Sequence, residues 1–256
     1  MPFLRFVSTD FLSWFDALER RHLQSLTFPE IRRAVQALSS LYVERRERLD
    51  SNSAFSGAGK RAAFAMYFGP LHFMLVQEIV RALDAKIPTG VGILDIGCGT
   101  GVAGAAWAKS QSPSAKVTGI DRNSWALQEC KWTYQQLGIR GVVKAMDIEA
   151  VRIPSGTAVI AAFTMNEVSP AARERFQNEF IRVAKSGAPV LIIEPIARRV
   201  ASWWDDWAVR WTAAGGRSDE WRFRVELPER LALMDRAAGL DHRELKGRSL
   251  WLPGQP

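Results

Sequence analysis

Asp95, Gly97, Gly99, Gly101, Gly104 and Asp121 have the types and spacing that suggest chemistry. The first five lie in the stretch GILDIGCGTGVAG, Gly92 to Gly104. Gly99, Gly101 and Gly104 form a G-x-G-x-x-G, which cradles a dinucleotide when it joins a strand to a helix. Asp121 stands 20 positions after Gly101, where an acid accepts hydrogen bonds from ribose hydroxyls. Asp95 argues against a dinucleotide. It is placed two residues before Gly97, where its carboxylate would face a pyrophosphate at close range, and two anions repel in a poorly solvated crevice. The same carboxylate suits a cofactor that presents a cation and no phosphate.

The elements that would hold these residues follow from periodicity. Short apolar runs are expected as strands at Gly92–Ile96, Lys116–Asp121, Gly141–Met146, Thr157–Phe163 and Pro189–Glu194. Helices fit between them, around 102–109, 124–137 and 170–185. That alternation predicts an α/β fold with a Rossmann-like, doubly wound and mostly parallel sheet. Asp121 then ends strand two, and Asp147 ends strand three. Residues 1 to about 85 read as helical. In FPEIRRAVQALSSLYVERRERL the residues Ile31, Val35, Leu38, Leu41 and Tyr42 recur at helical spacing. A polar break, Asp50 to Lys60, precedes a second helix, expected to bend near Gly69-Pro70. The SGAGKR within this region lacks the spacing and the Ser or Thr of a phosphate loop.

The arrangement Leu94-Asp95-Ile96-Gly97-Cys98-Gly99-Thr100-Gly101 resembles the first motif of class I S-adenosylmethionine-dependent methyltransferases. That resemblance implies S-adenosyl-L-methionine as cofactor, with its amino group and sulfonium as the cations. It implies a cofactor site of Asp95, Gly97, Cys98, Gly99 and Gly101, with Asp121 on the ribose. Asp147 would contact the adenine amino group and Ile148 would pack on the ring. The residues Ile120, Arg122 and Asn123 flank the ribose position. The alternative for Asp147 is a turn or N-cap aspartate. The expected division is 1–88 as a helical N-terminal region and 89–256 as the methyltransferase domain. In the first of these, Arg61 or Tyr67 would reach the cofactor carboxylate.

The acceptor end is read from the fourth strand, AAFTMNEVSP, Ala161 to Pro170. An Asn-Pro-Pro-Tyr-like motif for exocyclic base amines is absent there, and neither cysteine has the Pro-Cys or Thr-Cys setting of cytosine-C5 enzymes. Thr164, Asn166 and Glu167 remain. Asn166 is expected to orient an acceptor and Glu167 to act as general base or bind an amine; alternatively both cap the next helix. FTMNEVSP together with LIIEP, Leu191 to Pro195, resembles the ribosomal small-subunit assembly methyltransferase-like family of mitochondria and bacteria. That likeness implies small-subunit ribosomal RNA, or the small ribosomal subunit, as partner. The chain departs from it in having only Cys98 and Cys130, too few for the iron–sulfur cysteine cluster of many members.

Composition agrees with an anionic partner without requiring one. The net charge is +7 and the pI is near 9.8. The excess is spread evenly, since residues 1–85 and 196–256 each carry 11 basic and 9 acidic groups. Arg198 and Arg199 are further phosphate candidates. The three histidines, His22, His72 and His242, are too scattered for a metal site. No signal-peptide core or membrane-length apolar run is expected, and two cysteines fit a reducing cytoplasm. Trp203, Trp207 and Trp211 recur every four residues, with Trp204 beside the first. They read as a packed core face, a lid over the acceptor, or a surface on which bases stack. Three functions stay open: methyl transfer to RNA, methyl transfer to a small molecule, and non-catalytic RNA or ribosome binding. Oligomeric state is not legible.

Overall fold

The computed structural model describes residues 8–44, 57–196 and 201–255. Arg198 and Arg199 lie outside them, as do the side chains of Leu41 and Tyr42 and most of the polar break. The chain forms two compact units. One comprises residues up to Met74 with Arg222–Leu245; the other comprises Leu75–Trp221 with Lys246 onward.

The first unit is largely helical. Helix α1, Thr9–His22, is capped by Ser8, whose hydroxyl accepts from the Phe11 N–H at 3.2 Å. It buries Phe11, Trp14, Phe15 and Leu18 on one face. Helix α2, Phe28–Glu44, opens with a capping box in which Glu30 accepts from the Thr27 N–H at 2.7 Å. Ile31, Val35 and Leu38 are fully buried, as their spacing predicts. Helix α3, Ala58–Ala63, runs into a π-helical turn, Phe64–Phe68, and then into α4, Gly69–Leu83. The irregularity thus comes just before Gly69-Pro70, as a widened turn. The continuous helical run Ala58–Leu83 is long and apolar enough to cross a membrane, contrary to the expectation from sequence; 78% of its most apolar window is buried inside the protein, as in a core helix. Tyr67, on the π turn, donates its hydroxyl to Asp235 of α9, Glu229–Ala237. His242 bonds the same carboxylate through its backbone N–H at 2.8 Å and through Nδ1 at 2.6 Å.

The second unit holds the sheet. Its strands are β1 Ile93–Ile96, β2 Val117–Asp121, β3 Gly141–Ala145, β4 Ala158–Ala162 and β5 Val190–Glu194. With β6 Arg217–Arg224 and β7 Glu244–Leu252 they form one seven-stranded sheet in the order 3-2-1-4-5-7-6. Pairs β3–β2, β2–β1, β1–β4 and β4–β5 are parallel, and β7 runs antiparallel to β5. The expected mostly parallel, doubly wound sheet is therefore present, with its strands within a residue or two of the predicted runs. Helices α5 Val102–Lys109, α6 Ser124–Gln136, α7 Pro170–Lys185 and α8 Trp204–Ala213 complete the unit. The order reverses between β1 and β4, the switch point at which ligands bind such sheets. Trp204, Trp207 and Trp211 are buried, and Trp207 and Trp211 meet Phe180 of α7 edge to face. For these three the packed-core reading holds.

Gly104 shows how tightly α5 sits on β1. A Cβ there would come 2.7 Å from Asp95 Oδ2 and 2.9 Å from Val117 Cγ1. Gly104→Ala would add helix propensity but must displace two buried side chains. The expected result is a loss of about 1–3 kcal/mol in denaturant unfolding; a variant as stable as the parent would show that the helix moves freely.

Candidate functional site at the carboxyl ends of β1, β2 and β4

The loop after β1 is built of left-handed glycines: φ is +68° at Gly97, +50° at Gly99 and +81° at Gly101. At Gly97 no side chain fits. A Cβ would stand 2.4 Å from Thr164 Cγ2, so the loop lies directly against the end of β4. Thr164 is buried, and its hydroxyl donates to Ala162 O at 3.1 Å and lies 3.4 Å from Gly97 O. Asp121, half-buried at the end of β2, accepts from the Gly99 N–H at 3.0 Å and from the Asn123 N–H at 2.8 Å. Each of its oxygens keeps a lone pair, because a carboxylate offers about four acceptor positions. Cys98 is buried, with its thiol pushed above the ordinary range by contact with Cys130 and by burial.

Asp95 sits differently from the sequence expectation. It is fully buried beneath the loop, and its Oδ2 accepts from the Gly104 N–H at 2.9 Å. Burial pushes its carboxyl up to about 7. It anchors the first turn of α5 rather than lining an open face. Asp147 is exposed and caps the short 3-10 turn Ile148–Ala150, accepting from the Glu149 N–H at 2.9 Å. Ile148 is half-buried beside it, and Arg122 is exposed next to Asp121. Arg61 and Tyr67 belong to the helical unit, not to the unit that holds the glycine loop.

Past β4, Phe163 takes φ +60°, an unusual conformation for a bulky residue. It leads into the 3-10 turn Met165–Glu167. Asn166 is held at both ends of its amide. Its Nδ2 donates to Glu194 Oε2 at 2.7 Å, and its Oδ1 accepts from Trp203 Nε1 at 2.9 Å. Glu194, wholly buried at the end of β5, also accepts from the Met165 N–H at 2.9 Å. Opposite it on β7 is Arg248, buried, with its guanidinium 4.2 Å from the Trp204 ring centroid. Glu167 is exposed. Neither Asn166 nor Glu167 caps α7. That work falls to Ser169, whose hydroxyl accepts from Ala172 N and donates to Glu149.

Residues 93–187 match the model of a methyltransferase domain family. Ribosomal RNA small subunit methyltransferase C of Aeromonas hydrophila is 42% identical over 69 residues, which are 27% of this chain and 20% of that one. The match thus spans about a fifth of that relative's length. Among solved structures, an Aquifex aeolicus SAM-dependent methyltransferase aligns with 69% of this chain and 89% of its own, at 18% identity and TM-score 0.47. A Thermotoga maritima SAM-dependent O-methyltransferase aligns with 71% of this chain and 65% of its own, at 18% identity and TM-score 0.45.

The glycine loop fits S-adenosylmethionine, the cofactor that the resemblance of its motif implies. The backbone of Gly97 and Gly99 is partly exposed with no side chain in the way, and a half-exposed carboxylate closes the loop at β2. The structure brings together Gly97, Cys98, Gly99, Gly101, Asp121 and Thr164, with Asp95 underneath and Asn166 two residues beyond Thr164. Glu194 and Trp203 were not singled out in the sequence as groups that hold Asn166. A single acid closing the apolar run VLIIE was the available signal, because a buried charge demands a partner.

Glu194 gives the domain a pH-dependent stability. Burial raises its pKa from 4.5 to about 8, against the lowering effect of the Met165 N–H and Arg248. The folded protein therefore holds a proton that the unfolded chain releases between those values. Its contribution is fully present below the unfolded pKa and is lost as pH rises through 8. Glu194→Gln keeps one acceptor oxygen, so it forfeits either the Met165 or the Asn166 hydrogen bond at every pH, but removes this slope. Melts from about pH 5 to pH 9 are expected to flatten by on the order of 3 kcal/mol. Asp95 leaves a residual decline of the same sign. An unchanged slope would mean that Glu194 is ionised in the fold.

Proposed function

We propose that the protein transfers a methyl group from S-adenosylmethionine to structured RNA, with small-subunit ribosomal RNA as the expected acceptor. The observation that carries the site reading is the left-handed glycine loop, closed by Asp121 and packed on Thr164. When bound, the cofactor supplies an electrophilic methyl group on its sulfonium. The glycine backbone and Asp121 bind and orient it. Asp95 keeps α5 fixed behind the loop. At the acceptor side, Asn166 retains one amide hydrogen and one lone pair beyond those used by Glu194 and Trp203. It can therefore orient a nucleophile, and exposed Glu167, one residue on, is the residue proposed to take its proton.

Support for RNA comes from the +7 charge and from the 69-residue likeness to a ribosomal RNA methyltransferase. The expected result is binding to ribosomal particles and purified RNA at low salt, weakening steeply as salt rises because counterions are released. Sedimentation and filter binding at two salt concentrations, with methyl incorporation measured in parallel, check it. A protein that stays free of RNA and particles at low salt is a small-molecule methyltransferase or serves another acceptor. Binding without methyl incorporation points to a non-catalytic assembly role.

A further inference from the structure

One face of the sheet is left open at its β3 edge. Strands β2 and β3 pair in parallel, with Thr118 opposite Val142 and Ile120 opposite Lys144. Alternation sends the odd-numbered residues of both strands towards α6 and the even-numbered ones to the other face. Two close approaches fix that assignment. A Cβ at Gly119 would stand 3.0 Å from Tyr134 Oη, and one at Gly141 2.2 Å from Tyr134 Cδ2, and Tyr134 is on α6. On the even face, Ile120 belongs to the core cluster that includes Val151 and Ile153. Val142 does not, and is 58% exposed. The β3–β4 connection explains the difference. Its only regular piece is the 3-10 turn Ile148–Ala150, so it supplies no helix to cover β3.

The open face is basic. Lys116 stands just before β2, Arg140 just before β3 and Lys144 on β3, and all three are exposed. No carboxylate shares the even positions of these strands, whose other members are Thr118, Ile120 and Val142. Arg140 donates to Ser114 O at 3.1 Å, and among the described residues none of the three cations forms an ion pair. The next acids along the chain are already engaged: Asp147 caps the 3-10 turn and Glu149 accepts from Ser169. At about 3.3 Å per residue, the backbones of Arg140 and Lys144 are roughly 13 Å apart, and Lys116 lies one strand spacing, about 4.8 Å, from Arg140.

We propose that this face holds the phosphate backbone of the RNA acceptor. The proposal deepens the RNA reading and rests on it. Cations spread over such a length, with no acid among them, suit a polyanion better than one small anion. The face also lacks the aromatic and large apolar side chains with which a surface element enters a membrane. Strand β3 is separated from β4 by β2 and β1, so about 14 Å of sheet lies between this face and the residues after β4. Only an acceptor longer than a mononucleotide reaches both. The contact therefore contributes to RNA affinity and leaves the chemical step alone.

The test is filter binding of purified small-subunit ribosomal RNA to the full chain, in saturating S-adenosylhomocysteine and at rising salt. Lys116→Gln/Lys144→Gln is compared with Lys131→Gln/Lys185→Gln, which removes the same charge from exposed positions on α6 and α7. The strand pair is expected to lose about ten-fold in affinity at low salt and to lower the slope of log K against log salt by about 1–2. The helix pair should stay within about two-fold, and both should bind S-adenosylhomocysteine as the parent does. In methyl transfer, KM for RNA should rise in the strand pair with kcat unchanged. Equal losses in the two pairs would mean that RNA answers only to net charge, and overturn the proposal. A parent that binds RNA and a strand pair that binds it equally well overturn this face alone, leaving Lys144 as a guard on an edge strand. A parent that does not bind RNA overturns the RNA reading and the proposal together. Polyglutamate or anionic phosphatidylserine vesicles that bind more tightly than RNA, and are lost in the strand pair, overturn the assignment of RNA to this face.

Discussion

Asp121→Ala is expected to weaken S-adenosylmethionine and S-adenosylhomocysteine binding by about 1.5–3 kcal/mol, the contribution of hydrogen bonds to a charged group. That is roughly a ten- to hundred-fold rise in Kd. The carboxylate already accepts from Gly99 and Asn123, and so it holds the loop as well as any ribose. The two roles separate experimentally. Asp121 is half-exposed, so water can replace it on the two loop N–H groups, and the folded state should lose only about 1 kcal/mol. Calorimetric titration beside a thermal melt decides between them. A lower melting temperature with unchanged affinity would make Asp121 a loop pin and nothing more. NAD is expected not to bind the parent protein. That expectation rests on the resemblance of the glycine motif to the methyltransferase motif, since Asp95 is turned under α5 and does not face a pyrophosphate. Preferential NAD binding would end the methyltransferase reading.

The part of this site that was legible beforehand is the part made by backbone. Glycines at 97, 99 and 101 announce a loop that no side chain can enter, and alternating apolar runs announce the strands on either side. The alternation of strands and helices announces a mostly parallel, doubly wound sheet, whereas the order 3-2-1-4-5-7-6 came only with the structure. Side-chain direction was harder to read. Asp95 lies on a strand covered on both faces, where a fully apolar run carries no alternation to say which face a residue meets. Its carboxylate turned under α5, and Gly104, the third glycine of the motif, is there to accept that approach. Glu194 and Arg248 meet only because β7 returns antiparallel beside β5, a pairing between residues far apart in sequence. Trp203 escapes the core that swallows Trp204, Trp207 and Trp211 because it stands at the helix start, where it can reach Asn166.

Asn166→Ala is expected to lower methyl transfer by about a hundred-fold while leaving cofactor Kd within a factor of two or so, the size of effect that follows from a misplaced reacting partner. Its amide is fixed from two sides, by a buried carboxyl group on β5 and by an indole on α8. Alanine removes both contacts together with the orienting group. It also strands the Glu194 oxygen and the Trp203 N–H, so some stability is lost as well. Glu167→Gln supplies the comparison. It is exposed and does not cap α7, because Ser169 does. If it is the general base, turnover falls by about 10²-fold or more with cofactor affinity unchanged. Single-turnover methyl incorporation, with cofactor binding measured on the same samples, reads all of these. Turnover unchanged in Glu167→Gln would leave proton removal to solvent, with Asn166 as the orienting residue. Unchanged turnover in Asn166→Ala would place the acceptor away from the end of β4 altogether.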